Sequence, residues 1–132
     1  MRLDEGLVAY LTGNAGVSAL VSDRVGPAPL PQDSEQPAVT YQIISRTAQY
    51  THRGPAGLTR PRIQVDCWST TYSESQQLAE QVRLALSGFR GQMGDVSVSG
   101  LFQEGAIDLH EPEANLFRVS MDFLGWVAEA IP

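Results

Sequence analysis

The sequence predicts an α+β domain in which an antiparallel-rich mixed sheet of about four strands packs against helices. Three observations indicate this fold: two helical patterns at the start of the chain, four alternating strand patterns, and one long amphipathic helix between the second and third strands. The predicted order is αα-β-β-α-β-β. The length suits a single domain spanning residues 1–132.

The chain begins with two helical patterns. Leu3, Leu7 and Leu11 recur at the spacing of one helical face, and a second, shorter piece follows at residues 17–21. The segment from residue 26 to 37 holds four prolines and no apolar periodicity. We therefore expect an extended loop after the second helix, locally stiffened by proline.

Alternating apolar and polar residues predict the first two strands, at residues 39–45 and 62–69. The two strands form an expected antiparallel hairpin with a long, protruding polar tip. On the second strand, Ile63 and Cys67 lie on one face and Trp68 on the other. We expect Trp68 to meet another element or a partner chain.

The clearest element is a helix from about residue 73 to 89, with an apolar stripe that includes Leu78 and Val82. Thr71 as N-cap and Glu74 three residues later fit the capping-box pattern. Two further strands are expected downstream, the first at 96–102 and the second at 117–126, joined by an acidic loop.

Composition excludes several classes of protein. The formal net charge is -6, and this acidic balance argues against non-specific nucleic-acid binding. All nine residues counted as lysine or arginine are arginine. No apolar run approaches the roughly 20 residues of a membrane helix, and the start of the chain lacks a signal-peptide pattern. The single cysteine, Cys67, cannot form an intramolecular disulfide, which fits a reducing compartment.

Reactive groups do not converge in the sequence. His52 and His110 are far apart, on predicted loops, and neither has a partner at metal-ligand spacing. Cys67 lies on an apolar strand face, which favours a small buried hydrophobe over a nucleophile. No glycine-rich phosphate loop occurs, and the absence of lysine excludes Schiff-base chemistry. We therefore predict no enzyme activity and no catalytic, cofactor-binding or metal site.

Charge is unevenly placed along the chain. One predicted loop region is wholly basic, with Arg46, Arg53, Arg60 and Arg62. Another is wholly acidic, with Glu104, Asp108, Glu111 and Glu113. The two could neutralise each other within one domain, or they could form complementary surfaces on adjacent copies arranged head to tail. The acidic group could also bind a divalent cation, but it lacks the ligand spacing of a calcium loop.

The chain as a whole resembles the bacteriophage tail-completion or tail-terminator proteins of long-tailed phages and prophages. The resemblance covers nearly all 132 residues and depends on the order and spacing of several segments. These segments include PAVTYQIIS, IQVDCWS and FRVSMDF, at residues 37–45, 63–69 and 117–123. Others are the Leu-x3-Leu-x2-Tyr-Leu pattern of the first helix, ALVSDRV at residues 19–25 and LAEQV at 78–82.

This resemblance implies a structural virion protein without cofactors, assembled in the bacterial host cytoplasm. Such proteins form a ring, usually a hexamer, on the head-proximal end of the tail tube. The ring stops tube polymerisation and joins the tail to the head connector or stopper protein at the neck. DNA would pass through the lumen without specific binding, and no membrane partner is expected.

Two alternatives remain open at the level of the sequence. A head-completion or stopper protein would bind the portal side instead of the tube. A small ligand-binding or enzymatic α+β domain would be a monomer or dimer with a concave apolar pocket. For the ring, the candidate subunit or partner interface sets the four arginines against the four acidic residues and adds Trp68.

Overall fold

The computed structural model describes residues 2–31, 34–51 and 54–128, and these contain three helices and six strands. In chain order they are α1 (Leu3–Gly13), α2 (Ala15–Val21), β1 (Val25–Pro27), β2 (Ala38–Thr51), β3 (Gly54–Ser69), α3 (Tyr72–Leu86), β4 (Gly91–Met93), β5 (Val96–Glu111) and β6 (Leu116–Ala128). The α+β class predicted from the sequence is therefore confirmed.

The strands form one sheet in the order β1-β2-β3-β6-β5-β4. β1 runs parallel to β2, and every other pair is antiparallel. The prediction of about four strands was too low, because β1 and β4 were missed at the two sides of the sheet. Each has only three residues, which is too short for an alternating pattern to show.

Three strands also run further than predicted. β2 and β3 continue through most of the basic segment, and β5 continues through the acidic segment to Glu111. Residues 104–110 of β5 are exposed on both faces, and Glu104, Gly105 and Ala106 interrupt the pattern before Ile107 and Leu109 alternate with Asp108 and His110. Register shifts between Ile43 and Ser45 and between Gln103 and Gly105 further obscure the pattern.

The helices cover one face of the sheet and enclose the core. Leu7 and Leu11 of α1 and Leu78 of α3 are fully buried against that face. They pack on the alternating apolar residues of the central strands, which include Val65 and Phe123. The predicted helix to about residue 89 ends earlier, at Leu86.

The start of α3 differs from the predicted capping box. Thr71 Oγ1 accepts a hydrogen bond from the Glu74 backbone N–H at 3.2 Å, as expected of an N-cap. The Glu74 carboxylate instead accepts from Ser69 Oγ at 2.6 Å, and Ser69 Oγ accepts from the Thr71 N–H at 3.3 Å. Ser69 thus links the Thr71 backbone N–H to the Glu74 carboxylate and fixes the turn from β3 into α3.

Candidate interaction surface

The basic and acidic segments lie toward opposite ends of the sheet. Thr59 pairs with Val127 near the end of β6, whereas Glu111 pairs with Leu116 at its start. These two residue pairs are 11 residues apart along β6 (127 minus 116), a distance of about 36 Å at roughly 3.3 Å per residue. Charges at these two ends are screened from each other at physiological salt, where the Debye length is about 8 Å. The two segments approach each other only near the middle of the sheet, where Arg62 and Glu104 line one pocket.

The described arginines of the basic segment have different surroundings. Arg46 on β2 is exposed. Arg60 on β3 is partly buried and places its guanidinium 4.5 Å from the centre of the Trp126 ring. Arg62 donates from Nη1 to Asp122 Oδ2 at 2.6 Å, so its charge is already paired within the chain.

The acidic segment likewise divides into paired and unpaired carboxylates. Glu111 Oε1 forms an ion pair with Arg118 Nη2 at 2.9 Å. Glu104, Asp108 and Glu113 are exposed and make no ion pair within residues 2–31, 34–51 and 54–128. These three carboxylates, Arg46 and Arg60 are the candidate charges left for a second molecule, because neither arginine makes an ion pair among the described residues.

Two residues singled out from the sequence, His52 and Arg53, lie outside the described residues. His110 was expected on a loop but lies near the end of β5, exposed to solvent. Its ring packs against Phe117 with centroids 4.7 Å apart, and its Nε2 is 3.4 Å from Asn115 Oδ1. This histidine therefore supports the turn between β5 and β6.

Trp68 lies on the face of the sheet opposite the helices, in contact with neighbouring strands. Its Nε1–H donates to Thr40 Oγ1 at 2.9 Å, and the Arg118 guanidinium lies 5.0 Å from its ring centre. Arg118 Nη1 is 3.6 Å from the buried Asp66 carboxylate, which also accepts from Gln64 Nε2 at 3.2 Å. The expected contact of Trp68 with another element is thus made by β2 and β6, and contact with a partner chain stays a prediction.

These residues form the floor of an open groove of about 1000 Å³ on the uncovered face. The proline-rich loop between β1 and β2 makes one wall, with Pro29 and Pro31. The turn between β5 and β6 makes the other, with Glu113 and Ala114. Four long strands, β2, β3, β6 and β5, lie between these walls. The sheet curls enough for the two walls to flank one groove.

The sequence reasoning overlooked Arg118 and the uncovered face. Thr40, Gln42, Gln64 and Asp66 are polar residues at alternate positions of two adjacent strands, and that pattern could have indicated a sheet face without helices. Arg118 was placed on the last strand but not linked to the acidic segment, since only the strand register brings it to Glu111.

In the part of the chain that the structure describes, the buried Cys67 and the exposed His110 do not form a catalytic pair. Cys67 is fully buried in the core, and burial raises the pKa of its thiol, which keeps it protonated and unreactive. Among the described residues, no group of three or more histidine, cysteine, aspartate or glutamate side chains could hold a metal ion. In the same residues, no helix is long and apolar enough to cross a membrane.

Comparison with known proteins gives a family match and a similar solved structure. Residues 5–128 match a family model described as tail completion protein gp17. A chain in a solved structure titled "Virion of native gene transfer agent (GTA) particle" shares the fold with a TM-score of 0.78 at 18% identity, over 96% of this chain and 94% of that chain. No curated protein sequence matches the chain significantly.

The chain is thus a structural protein of the virion tail. The family match covers nearly its whole length, and the chain belongs to the tail completion protein gp17 family.

Proposed function

We propose that this chain forms a ring on the head-proximal end of the tail tube, where it ends tube polymerisation and joins the tail to the head connector. The observation that carries the proposal is the match of residues 5–128 to the tail completion protein gp17 family. The role is non-enzymatic. The buried thiol of Cys67 and the surface position of His110 are in keeping with that role.

The placement of charge supports a ring over a two-fold dimer. A surface that is basic at one end and acidic at the other complements a second copy head to tail, and a head-to-tail contact closes into a ring when the rotation between copies allows it. By the resemblance to tail terminators, six copies are expected. The tube protein and the connector or stopper protein would bind the two open faces of the ring.

The proposed subunit contact sets the basic residues of one copy against the acidic residues of the next. Arg46 and the exposed carboxylates Glu104, Asp108 and Glu113 are its principal described members. Arg62 and Glu111 already have partners within the chain, so they contribute less. Exposed ion pairs stabilise by about 0–1 kcal/mol each, so they would set the register while apolar and backbone contacts supply affinity.

A net charge of -6 also suits a channel through which DNA must pass. Phosphates are repelled by an acidic surface, and specific or tight binding would hinder ejection. We therefore propose that DNA crosses the lumen without specific binding. Filter binding with duplex DNA at physiological salt should accordingly give no measurable affinity.

Electron microscopy of particles made without this protein tests the assignment. A tail terminator predicts overlong tails, because nothing then stops tube polymerisation. Filled heads without tails, or heads that leak DNA, would instead identify a stopper protein on the portal side. Tails of normal length on intact heads would contradict both roles.

Native mass measurement with and without purified tail tubes tests the ring. We expect a closed oligomer, either free in solution or assembled only on tubes. A monomer under both conditions would refute the ring and favour a small ligand-binding α+β domain. A mass shift on addition of tubes, and none with an unrelated filament as control, would establish the tube as the partner.

A further inference from the structure

Two long strands of the sheet have an open edge in the part of the chain that the structure describes. β1 pairs with β2 only at residues 39–41, which leaves residues 42–51 of β2 without a strand on that side. β4 pairs with β5 only at residues 96–98, and the Gly88 N–H donates to the Leu101 carbonyl just beyond. Residues 102–111 of β5 are therefore also open on one side.

Open edges of this length are unusual, because unpaired backbone N–H and C=O groups readily pair with another chain. The β5 edge also carries apolar side chains, with Ile107 63% exposed and Leu109 37% exposed. On β2, Ile44 is 45% exposed. Exposed apolar residues on a long edge strand indicate either an aggregation hazard or an interface.

The two open edges carry opposite charge. Residues 42–51 contain Arg46 and no acidic residue, whereas residues 102–111 contain Glu104, Asp108 and Glu111 and no lysine or arginine. A two-fold dimer would place β5 against β5 or β2 against β2, and so like charge against like charge. Only β2 against β5 brings opposite charges together, and that pairing is head to tail.

We propose that the open edge of β2 in one copy pairs with the open edge of β5 in the next copy, so that the sheets of neighbouring subunits join into one continuous sheet. The proposal rests on the ring proposed above and specifies how its subunits are joined. Backbone hydrogen bonds across the two edges supply affinity, and the charges select β2 against β5.

Strand direction makes this pairing antiparallel. Within one copy, β2 and β6 run in one direction and β3 and β5 in the other. A modest rotation about an axis inclined to the strands by less than 90° keeps the sense of these directions, so β2 of the next copy runs opposite to β5. The joint then has the same antiparallel ladder as the rest of the long strands.

The face of the sheet on which each side chain lies limits the possible register between β2 and β5 of the next copy. Arg46 is opposite the buried Pro61, and Asp108 is opposite the buried Val119. Since directly opposite residues share a face, Arg46 and Asp108 both lie on the helix side of their strands. Each is also near the middle of its open edge. Ala106 and Asp108 are therefore the expected neighbours of Arg46 across the joint.

Such a register requires tilted strands. Within one copy, Arg46 of β2 lies in one row across the sheet with Pro61 of β3, Gly125 of β6 and Leu101 of β5. If Arg46 pairs with Ala106 or Asp108 of the next copy, it pairs five or seven residues beyond Leu101 along β5. Over the width of four strands this offset corresponds to a strand tilt of about 40–50°, at about 3.3 Å per residue and about 4.8 Å per strand. Strands of closed barrels tilt by about 35–45°, so the joint is compatible with a ring.

Cysteine cross-linking tests the pairing directly. We would introduce Arg46→Cys together with Ala106→Cys, Asp108→Cys or His110→Cys, because opposite residues in a sheet lie within disulfide reach. The buried native Cys67 does not compete. A control pair joins Arg46→Cys with Leu84→Cys, which is 60% exposed on α3, away from both edges. Mild oxidation of the assembled ring should give a ladder of covalent oligomers for at least one edge pair and none for the control.

The outcomes separate the joint from the ring itself. A ring of normal mass in which none of the three edge pairs cross-links would overturn edge pairing and leave the proposed ring standing. A monomer for the unmodified chain, with and without tail tubes, would overturn both. Cross-links that appear equally in the control pair would also overturn the proposal, because they would reflect random collision.

Charge exchange gives a second readout. R46E and D108R should each weaken subunit association by about fivefold per interface, since like charges across adjacent strands repel. The double variant R46E/D108R should regain most of that loss. R90E, which changes an exposed arginine outside both edges, is the matched control and should leave association unchanged. A double variant weaker than either single one would contradict the contact between these residues.

Discussion

Arg118 connects three groups on the uncovered face of the sheet. Its guanidinium packs over Trp68, approaches Asp66 at 3.6 Å and forms an ion pair with Glu111 at 2.9 Å. Asp66 is only 5% exposed, so its carboxylate depends on this cation and on Gln64 for compensation. Arg118 thus ties the floor of the groove to the turn between β5 and β6.

Replacing this arginine should destabilise the fold. Arg118→Met keeps most of the apolar length but leaves the Asp66 carboxylate without its cation, and we expect the free energy of unfolding to fall by about 2 kcal/mol. Urea denaturation measures it. Arg83→Met is the matched control, because Arg83 pairs with Glu80 on the exposed side of α3 and should cost less than about 1 kcal/mol. Equal losses for the two variants would contradict the role of Arg118.

At the scale of elements, α1 approaches the sheet closely at one glycine. A Cβ built on Gly6 would lie 2.5 Å from the carbonyl oxygen of Met93 on β4. The Met93 carbonyl belongs to the backbone and cannot move aside as a flexible side chain can. This position therefore requires glycine despite its lower helix propensity. The contact fixes the first helix against the far side of the sheet.

Gly6→Ala should therefore destabilise the protein by about 1–3 kcal/mol, because α1 and β4 must move apart. Gly13→Ala is the matched control: a Cβ there has no atom within 4 Å, and alanine is the better helix former. We expect Gly13→Ala to leave thermal stability unchanged or to raise it slightly. Calorimetry on both variants measures the difference, and a Gly6→Ala midpoint equal to that of the unmodified chain would refute the close packing.

At the scale of the whole molecule, strand length decides what the helices can cover. β3 and β5 have 16 residues each, about 53 Å when extended, whereas the 15 residues of α3 span about 22 Å. The strands therefore extend past the helical layer. Their projecting parts carry the outer ends of the basic and acidic segments, which places those two ends far apart on one molecule.

Salt should weaken the proposed ring without abolishing it. Raising NaCl from about 0.05 M to about 0.5 M shortens the Debye length from about 14 Å to about 4 Å, which screens exposed pairs but leaves backbone and apolar contacts. Light scattering across this range should show a modest rise in the dissociation constant, and Arg46→Gln should show a smaller one. Complete dissociation at high salt would mean that ion pairs supply most of the affinity.

Much of the fold could be predicted from local pattern, and the candidate surface could not. Leu7, Leu78 and Ile63 were assigned to apolar faces by spacing, and each is buried as expected. The extension of β5 beyond residue 102 was missed, because the acidic residues indicated a loop, although Ile107 and Leu109 alternate with Asp108 and His110. Both faces of this segment are exposed, so its short alternation does not mark a buried face.

The sequence by itself determined the α+β class, the core faces of the central strands, the lack of lysine-dependent chemistry and the separation of basic from acidic residues along the chain. Only the tertiary structure decided which charges already have partners, such as Arg62 with Asp122, and which edges of the sheet stay open. The physical reason is that pairing and register depend on contacts between residues distant in sequence. Local propensity carries no information about those contacts.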